Sequence, residues 1–286
     1  MMNSSPADPT SLPPALKLSY FNDAKGRNEF IRLLLTVSNI PYEDCLIGAE
    51  FKELRDKGIL PYGQLPVLTV STGESETTYG QSCAIARYVA KLGGLYPDSK
   101  PDEAFFTDGI VDSWRDMTDR FYETVFHYKV IGGMLQQAPY PRSARYGRLV
   151  SYLNYELSPM FERYEGFLLP SGQLLTSSFP CWADLAIFDL VKAMERSLTN
   201  DLFHQLMDGK PKLQKLVQRL EDMECIQEYY KKYPNKSVCH YWVKVTYWRR
   251  GLETFVYPVV NLVLGFIAIV QRKFMPRETD TCIKQD

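Results

Sequence analysis

The stretch LKLSYFNDAKGRNEFIRLLLTV, residues 16–37, changes from a strand pattern to a helix pattern within one loop and decides the fold class. Residues 16–20 form a short run of alternating side chains, which is typical of a strand. After the loop, apolar residues recur at helical spacing at Phe30, Leu34 and Val37. The sequence therefore predicts a strand that leads directly into an amphipathic helix.

The alternation of strands and helices continues to residue 95. Three further runs have the composition of short strands, at residues 42–47, 66–70 and 77–79. A helix is predicted after Ser82, because Ala84, Tyr88 and Leu92 in the run CAIARYVAKL share one helical face. The order β-α-β followed by β-β-α within residues 16–95 favours an α+β domain over a doubly wound parallel sheet.

A polar stretch with two prolines, residues 94–103, predicts a domain boundary. Beyond it, residues 103–235 show helical periodicity. Helices are predicted from about Ala104 into the 130s, from about Ala144 to Leu169, over ADLAIFDLVKAM and along the stripe Leu213, Leu216, Val217 and Leu220. The second domain is therefore predicted to be an all-α helical bundle.

The composition disfavours several classes of function. The formal net charge of the 286 residues is −1 at pH 7, so no basic field favours binding to nucleic acid. The six cysteines and three histidines lack the spacing of metal ligands, so no metal site is expected. Residues 1–15 have no apolar segment of a signal peptide and predict a disordered leader. Scattered thiols without such a signal favour a reducing, cytoplasmic compartment.

Three short motifs stand at the ends of predicted strands and helices. They are YFNDAKGR at residues 20–27, LPYGQLPVL at residues 60–68 and QSCAIARYVA at residues 81–90. Each alone has an ordinary structural explanation: a Tyr at a strand end packs in the core, a Pro before a strand protects an edge, and Ser82 caps a helix. Their order and spacing together are more specific than any one of them.

Together the motifs resemble those of the glutathione transferases, most closely the sigma class, which includes haematopoietic-type prostaglandin D synthase. The resemblance covers residues 16–235, and CWADLAIFD at residues 181–189 resembles the capping-box helix of the family, with Cys181 where Ser or Thr is usual. It implies a thioredoxin-like N-terminal domain followed by an all-α helical-bundle domain. It also implies glutathione as co-substrate, a small hydrophobic electrophile as second substrate, no required metal, and a homodimer.

The resemblance implies that the hydroxyl of Tyr20 stabilises the glutathione thiolate. A free Cys thiol has a pKa near ~8.5, and lowering it below 7 requires about two units, or roughly 2.7 kcal/mol. A hydrogen bond to a charged group contributes ~1.5–3 kcal/mol, which is enough. No Cys lies near position 20, which disfavours disulfide chemistry.

The same resemblance places the peptide backbone of glutathione against a cis Leu65-Pro66 step, which pairs with it like an added strand. Gln81 and Ser82 stand at a helix N-terminus, where the dipole favours the γ-glutamyl carboxylate. Gln64 is implied to contact the same ligand.

Four further positions are implied to bind glutathione, and some depart from the family pattern. Arg55 is placed at the glycyl carboxylate, and Phe51 takes the place of a Trp whose indole donates there. Arg27 follows a loop one residue longer than usual, so a plain surface charge is an equal alternative. Asp116 is placed against the γ-glutamyl amine of the neighbouring subunit, which requires a dimer.

The electrophile pocket is predicted only as a set of candidates. They come from the first loop and the first long helix: Phe21, Arg115, Asp119, Tyr122 and Phe126. Aromatic residues at helical spacing are more often core than pocket, and that alternative stays open. Three functions also stay open: a conjugating transferase, a glutathione-dependent prostaglandin-type isomerase, and a non-catalytic binding or structural protein on the same fold.

Residues 236–286 extend beyond the region of resemblance. Within them LETFVYPVVNLVLGFIAIV, residues 252–270, is apolar and nearly uncharged, although Glu253, Pro258 and Asn261 interrupt it. About twenty apolar residues span a bilayer. Two interpretations stay open: a C-terminal membrane anchor that leaves the catalytic domains facing the cytosol, or an extra helix packed on the second domain. The lack of a polar stripe favours the anchor.

Overall fold

The computed structural model describes residues 14–21, 25–73, 75–126, 128–131, 134–137 and 145–233, without the side chains of residues 125–146. These residues belong to one compact unit, Met1–Val243, and a second unit comprises Lys244–Asp286. The predicted leader, apart from its last two residues, and the predicted apolar segment 252–270 lie outside the described residues. Over the described ranges, no helix is both long and apolar enough to cross a membrane.

A four-stranded sheet with helices forms the first part of the described chain. Its elements are β1 (Ala15–Phe21), α1 (Asn28–Val37), β2 (Tyr42–Ile47), α2 (Phe51–Asp56), β3 (Val67–Thr72), β4 (Ser75–Gly80) and α3 (Ser82–Leu92). The strand order is β2-β1-β3-β4, with β1 parallel to β2 and antiparallel to β3. This mixed sheet confirms the predicted α+β class, and β2 has the predicted bounds.

The register of the sheet places the end of β1, the start of β3 and the end of β4 at the same edge. Ser19 near the end of β1 is paired with Val67 at the start of β3, and Val67 is paired with Gly80 at the end of β4. Tyr20 follows Ser19, and Gln81 follows Gly80. The pairing therefore places these two residues near each other and near the proline that precedes β3.

Helix α3 buries a different face from the one that the sequence singled out. Ala84, Tyr88 and Leu92 do share a face, but it is exposed, with Tyr88 39% and Leu92 45% accessible. The buried face carries Ile85 and Val89, which are 2% and 0% accessible. Small and branched side chains let α3 pack closely on α1 and the sheet, which leaves the larger apolar side chains outside.

Helices predominate in the second part of the described chain. They are α4 (Pro101–Phe126), α5 (Arg145–Tyr152), a π-helical turn (Leu153–Leu157), α6 (Ser158–Phe167), α7 (Trp182–Ser197), α8 (Asn200–Met207), α9 (Pro211–Glu221) and α10 (Glu224–Lys232). The prediction that the first long helix continues into the 130s is wrong. Instead α4 is followed by an antiparallel hairpin of β5 (Tyr128–Ile131) and β6 (Met134–Gln137). The sequence YKVIGG explains the difference, because aromatic and β-branched residues before Gly-Gly favour a hairpin over a helix.

Helix α7 joins the two parts. It begins with the predicted capping box, in which the Asp184 carboxylate accepts a hydrogen bond from the Cys181 backbone N–H at 2.9 Å. The buried ring of Trp182 lies 6.4 Å from that of Phe30 on α1, and the ring of Trp114 on α4 lies 4.8 Å from Phe30. These fully buried rings fix α1 against both α4 and α7.

Candidate functional site

Tyr20 stands at the sheet edge with its hydroxyl against the backbone of the following loop. A Cβ added to Gly26, whose φ is +45°, would lie 2.3 Å from Tyr20 Oη, so only glycine leaves room for the hydroxyl there. Burial raises the pKa of Tyr20, while the charge and the backbone N–H of Arg27 lower it. The raised pKa keeps the hydroxyl protonated at neutral pH, so it is a hydrogen-bond donor.

The Leu65-Pro66 bond is cis, as the family resemblance implies. Both residues are buried where β3 begins, and Gln64 just before them is partly exposed. Because β3 begins beside the end of β1, this step lies at the same sheet edge as Tyr20. The backbone before β3 is therefore placed to pair with an extended peptide.

Gln81 and Ser82 form the turn from β4 into α3. The N-cap is Gln81, with φ +75° and without a side-chain capping hydrogen bond, so the alternative of Ser82 as N-cap is wrong. A non-glycine residue in the left-handed region costs on the order of 1–3 kcal/mol and marks a constrained turn. Ser82 is the first helical residue and is only 7% exposed. The first backbone N–H groups of α3 thus begin at the sheet edge.

Arg27 and Asp119 lie together, although the sequence assigns them to different ligands. The Arg27 guanidinium forms an ion pair with the Asp119 carboxylate on α4. Arg27 is also the N-cap residue of α1, and 26% of its side chain is exposed. Its charge is therefore paired with a carboxylate of α4.

Phe51, Phe21 and Arg55 form a second group near Tyr20. The Phe21 ring lies 5.5 Å from the Tyr20 ring and 4.9 Å from the Phe51 ring. The Arg55 guanidinium lies 5.9 Å from the Phe51 ring and pairs with Asp56 at 3.2 Å. Phe21 and Phe51 thus pack on a hydrophobic cluster at this edge of the sheet, and α2 carries Arg55 beside them. The cluster consists of Ile47, Leu60, Leu65 and Val67.

The remaining predicted residues lie along α4. The Arg115 guanidinium is 3.7 Å from the carboxylate of its neighbour Asp116, and both side chains are about half exposed or more. The Tyr122 ring lies 5.8 Å from the Phe121 ring. The side chain of Phe126 lies outside the described part of the chain. In the residues described, no group of three or more His, Cys, Asp or Glu side chains is placed to hold a metal ion.

Sequence reasoning missed Gly26 and two buried carboxylates, Glu29 and Asp189. The signal for Glu29 and Asp189 was present, because each stands directly beside apolar residues within a helical run, NEFIRLLL or ADLAIFDLV. Gly26 gave no signal of its own, because glycine is common in loops.

Comparisons with known proteins identify the family. Residues 139–233 match the family model described as glutathione S-transferase, C-terminal domain. Glutathione S-transferase 4 of Caenorhabditis elegans is 31% identical over 223 residues, which cover 76% of this chain and 95% of the relative. The chain belongs to the glutathione S-transferase family. The co-substrate of the family is glutathione.

Sigma-type transferases are among the similar proteins. Hematopoietic prostaglandin D synthase of Homo sapiens is 38% identical over 109 residues, which are 38% of this chain and 51% of that protein. The structure of the sigma class transferase of Fasciola hepatica matches with a TM-score of 0.62 and 21% identity, covering 77% of this chain and 97% of that chain. This likeness confirms the fold, a thioredoxin-like domain followed by a helical domain.

Proposed function

We propose that the protein conjugates the glutathione thiolate to a small hydrophobic electrophile and that Tyr20 stabilises the thiolate. The observation that carries this proposal is the Tyr20 hydroxyl at the sheet edge, protonated and held against Gly26. The backbone N–H of Arg27 hydrogen-bonds to the hydroxyl oxygen, which leaves the O–H free to donate. A donor fixed in advance stabilises an anion more than one that must reorganise.

Glutathione is proposed to lie along the edge where β1, β3 and β4 end or begin. The backbone at Leu65, before the cis Pro66, would pair with the cysteinyl part of the peptide. Gln81 and Ser82 would receive the γ-glutamyl carboxylate at the start of α3, with Gln64 beside them. This orientation directs the thiol toward Tyr20.

The glycyl end is proposed to reach α2. Arg55 supplies the charge for the glycyl carboxylate, although Asp56 competes for it at 3.2 Å. Phe51 offers a ring without a donor, so we expect weaker binding at this end than an indole would give.

The electrophile is proposed to bind between the first loop and α4. Phe21 and the Arg27–Asp119 ion pair are proposed to border this region, with Tyr122 further along α4, and Phe126 is a candidate from the sequence alone. Arg115 is proposed to contribute at its outer side. The ion pair would give the region a polar border, and the Phe21 ring would give it an apolar one.

A homodimer is proposed from the outer faces of α3 and α4. Tyr88 and Leu92 form an exposed apolar strip on α3, and Asp116 lies exposed on α4. A second copy that covers the strip would remove apolar surface from water and bring Asp116 toward the partner's glutathione.

A glutathione-dependent prostaglandin-type isomerase is the second candidate function. The observation that favours it is the similarity to the human prostaglandin D synthase over 109 residues. Both functions need the same thiolate and differ only in the second substrate.

For localisation we propose the cytosol, with residues 252–270 as a C-terminal membrane anchor. This proposal rests on the sequence alone, because the segment lies outside the described residues. An anchor would hold the catalytic domains beside lipophilic substrates at the membrane.

The proposed function is tested by retention of the full-length protein on immobilised glutathione, followed by conjugation of a chloronitrobenzene and isomerisation of a prostaglandin endoperoxide. Retention with conjugation supports the transferase, and retention with isomerisation alone supports the isomerase. Retention without either activity, while a known transferase turns over in parallel, would show a non-catalytic binding protein instead.

A further inference from the structure

Behind the proposed site, four buried charged side chains meet between α1 and α7. We call Lys25, Glu29, Asp189 and Arg196 the buried quartet. Glu29 has no accessible surface; its carboxylate accepts a hydrogen bond from Lys25 Nζ at 2.9 Å and lies 3.8 Å from Arg196 Nη1. The Tyr229 hydroxyl on α10 donates to its other oxygen at 2.7 Å. Two cations and two carboxylates therefore share a site that water hardly reaches.

Asp189 is the least satisfied member of the quartet. It is 3% exposed, and its Oδ2 accepts a hydrogen bond from Trp114 Nε1 at 3.0 Å. None of the described residues hydrogen-bonds to its Oδ1. Burial and the neighbouring Glu29 charge raise the pKa of Asp189 to about 7. The charged and titratable groups that act on or face it are Glu29 and Lys25 on the side of α1, Arg196 on its own helix, Tyr230 on α10 and Tyr20 on β1.

The quartet is joined to Tyr20 in two ways. Lys25, held by Glu29, directly precedes Gly26, whose backbone lies against the Tyr20 hydroxyl. The charge of Asp189 also acts on Tyr20 directly and opposes that of Arg27. A change of charge in the quartet therefore changes the electrostatic potential at the Tyr20 hydroxyl.

We propose that the buried quartet consists of positioning residues for the thiolate, which hold the loop on the Tyr20 hydroxyl and set the charge behind it. This inference rests on the proposed function, because it needs a thiolate at Tyr20. Removing a carboxylate makes the charge behind Tyr20 more positive, and removing a cation makes it more negative. Asp189, whose pKa is about 7, contributes its negative charge only as the pH rises through that value. A positive charge favours the thiolate and a negative charge disfavours it.

The test is the pKa of the thiol of bound glutathione, measured by ultraviolet absorbance of the thiolate during a pH titration of full-length protein. Glu29→Gln removes a carboxylate and keeps its shape, so the thiol pKa should fall by roughly half a unit or more. Lys25→Met and Arg196→Met remove a cation, so the thiol pKa should rise by a similar amount. Asp189→Asn should lower the thiol pKa by less than Glu29→Gln does, because Asp189 is only partly charged near pH 7. Two variants of each sign keep the test decisive if one of them does not fold.

Two control variants separate charge from stability. Asp184→Asn changes an equally buried carboxylate on α7, which caps the helix. Lys210→Met changes a lysine at the start of α9 that is 6% exposed and whose Nζ donates to the Asp208 carbonyl oxygen at 3.1 Å. Both should lower the melting temperature and leave the thiol pKa where it is.

The outcomes distinguish this proposal from the function on which it rests. Shifts of opposite sign for lost carboxylates and lost cations support the proposal. Shifts of one sign for all four variants, or none, overturn it while the wild-type thiolate stands. If wild-type protein binds glutathione without forming a thiolate, the proposed function fails, and this proposal fails with it.

Discussion

Replacing Gly26 by Ala tests whether the loop backbone positions the Tyr20 hydroxyl. The added Cβ would lie 2.3 Å from Tyr20 Oη and 3.1 Å from Cζ, whereas ordinary contact begins at 3.4 Å. The ring must therefore move by about 1 Å, or the loop must move instead. Misplacement on this scale can cost about a hundredfold in rate, and loss of one donor costs a similar factor. We expect conjugation at neutral pH to fall between about tenfold and about a hundredfold.

Gly73→Ala is the matched control for this change. Gly73 has φ +59°, also in the left-handed region, but no atom lies within 4 Å of an added Cβ. Both variants should lose roughly 1–2 kcal/mol of stability from the backbone conformation alone. Only Gly26→Ala should lose activity.

The assay is kcat/KM for a chloronitrobenzene at saturating glutathione, with thermal melting in parallel. Adding Gly26→Ala to Tyr20→Phe should cost little further rate, because the displaced hydroxyl is already gone. If Gly26→Ala keeps wild-type activity while losing as much stability as Gly73→Ala, the hydroxyl does not depend on this backbone and the reasoning is refuted.

Three further predictions concern binding, assembly and location. Ser82→Ala should weaken glutathione binding by ~1–3 kcal/mol, measured by calorimetry, and unchanged affinity would argue against a role in binding. Tyr88→Asp should shift a dimer toward monomer in sedimentation, because it places a charge in the proposed apolar interface, and a monomeric wild-type protein that is active with glutathione would rule out that interface. Full-length protein should stay in the membrane pellet after a carbonate wash. A chain ending near Pro234 should instead be soluble and keep its conjugating activity. Full-length protein in the supernatant would contradict the anchor proposal.

Much of the fold could be predicted from local patterns, because strands and helices of the first domain differ clearly in periodicity. The bounds of β2 and the order of the four strands, α1 and α3 follow from the sequence, whereas the short helix α2 was not predicted. The capping box from Cys181 to Asp184 was also predictable, since it depends on residues three positions apart. The hairpin after α4 was missed because helix periodicity and β propensity compete there.

The candidate site was predictable only where a motif marks it. Tyr20, the cis Pro66 and the turn at Gln81 belong to motifs, and the sheet register brings them to one edge. The ion pair from Arg27 to Asp119 could not be predicted, because its partners are distant in sequence and meet only when the two domains pack. The buried quartet and the choice of the exposed face of α3 could not be predicted either, because both depend on contacts between segments that are distant in sequence.

The ionisation of glutathione bound to wild-type protein and to Tyr20→Phe tests the central claim most directly. Ultraviolet absorbance of the thiolate against pH gives the thiol pKa in each complex. The account predicts a thiol pKa below 7 in the wild-type complex, retained glutathione binding in the variant, and a thiol pKa higher by one unit or more there. Equal thiol pKa values in the two complexes would contradict the assignment of Tyr20.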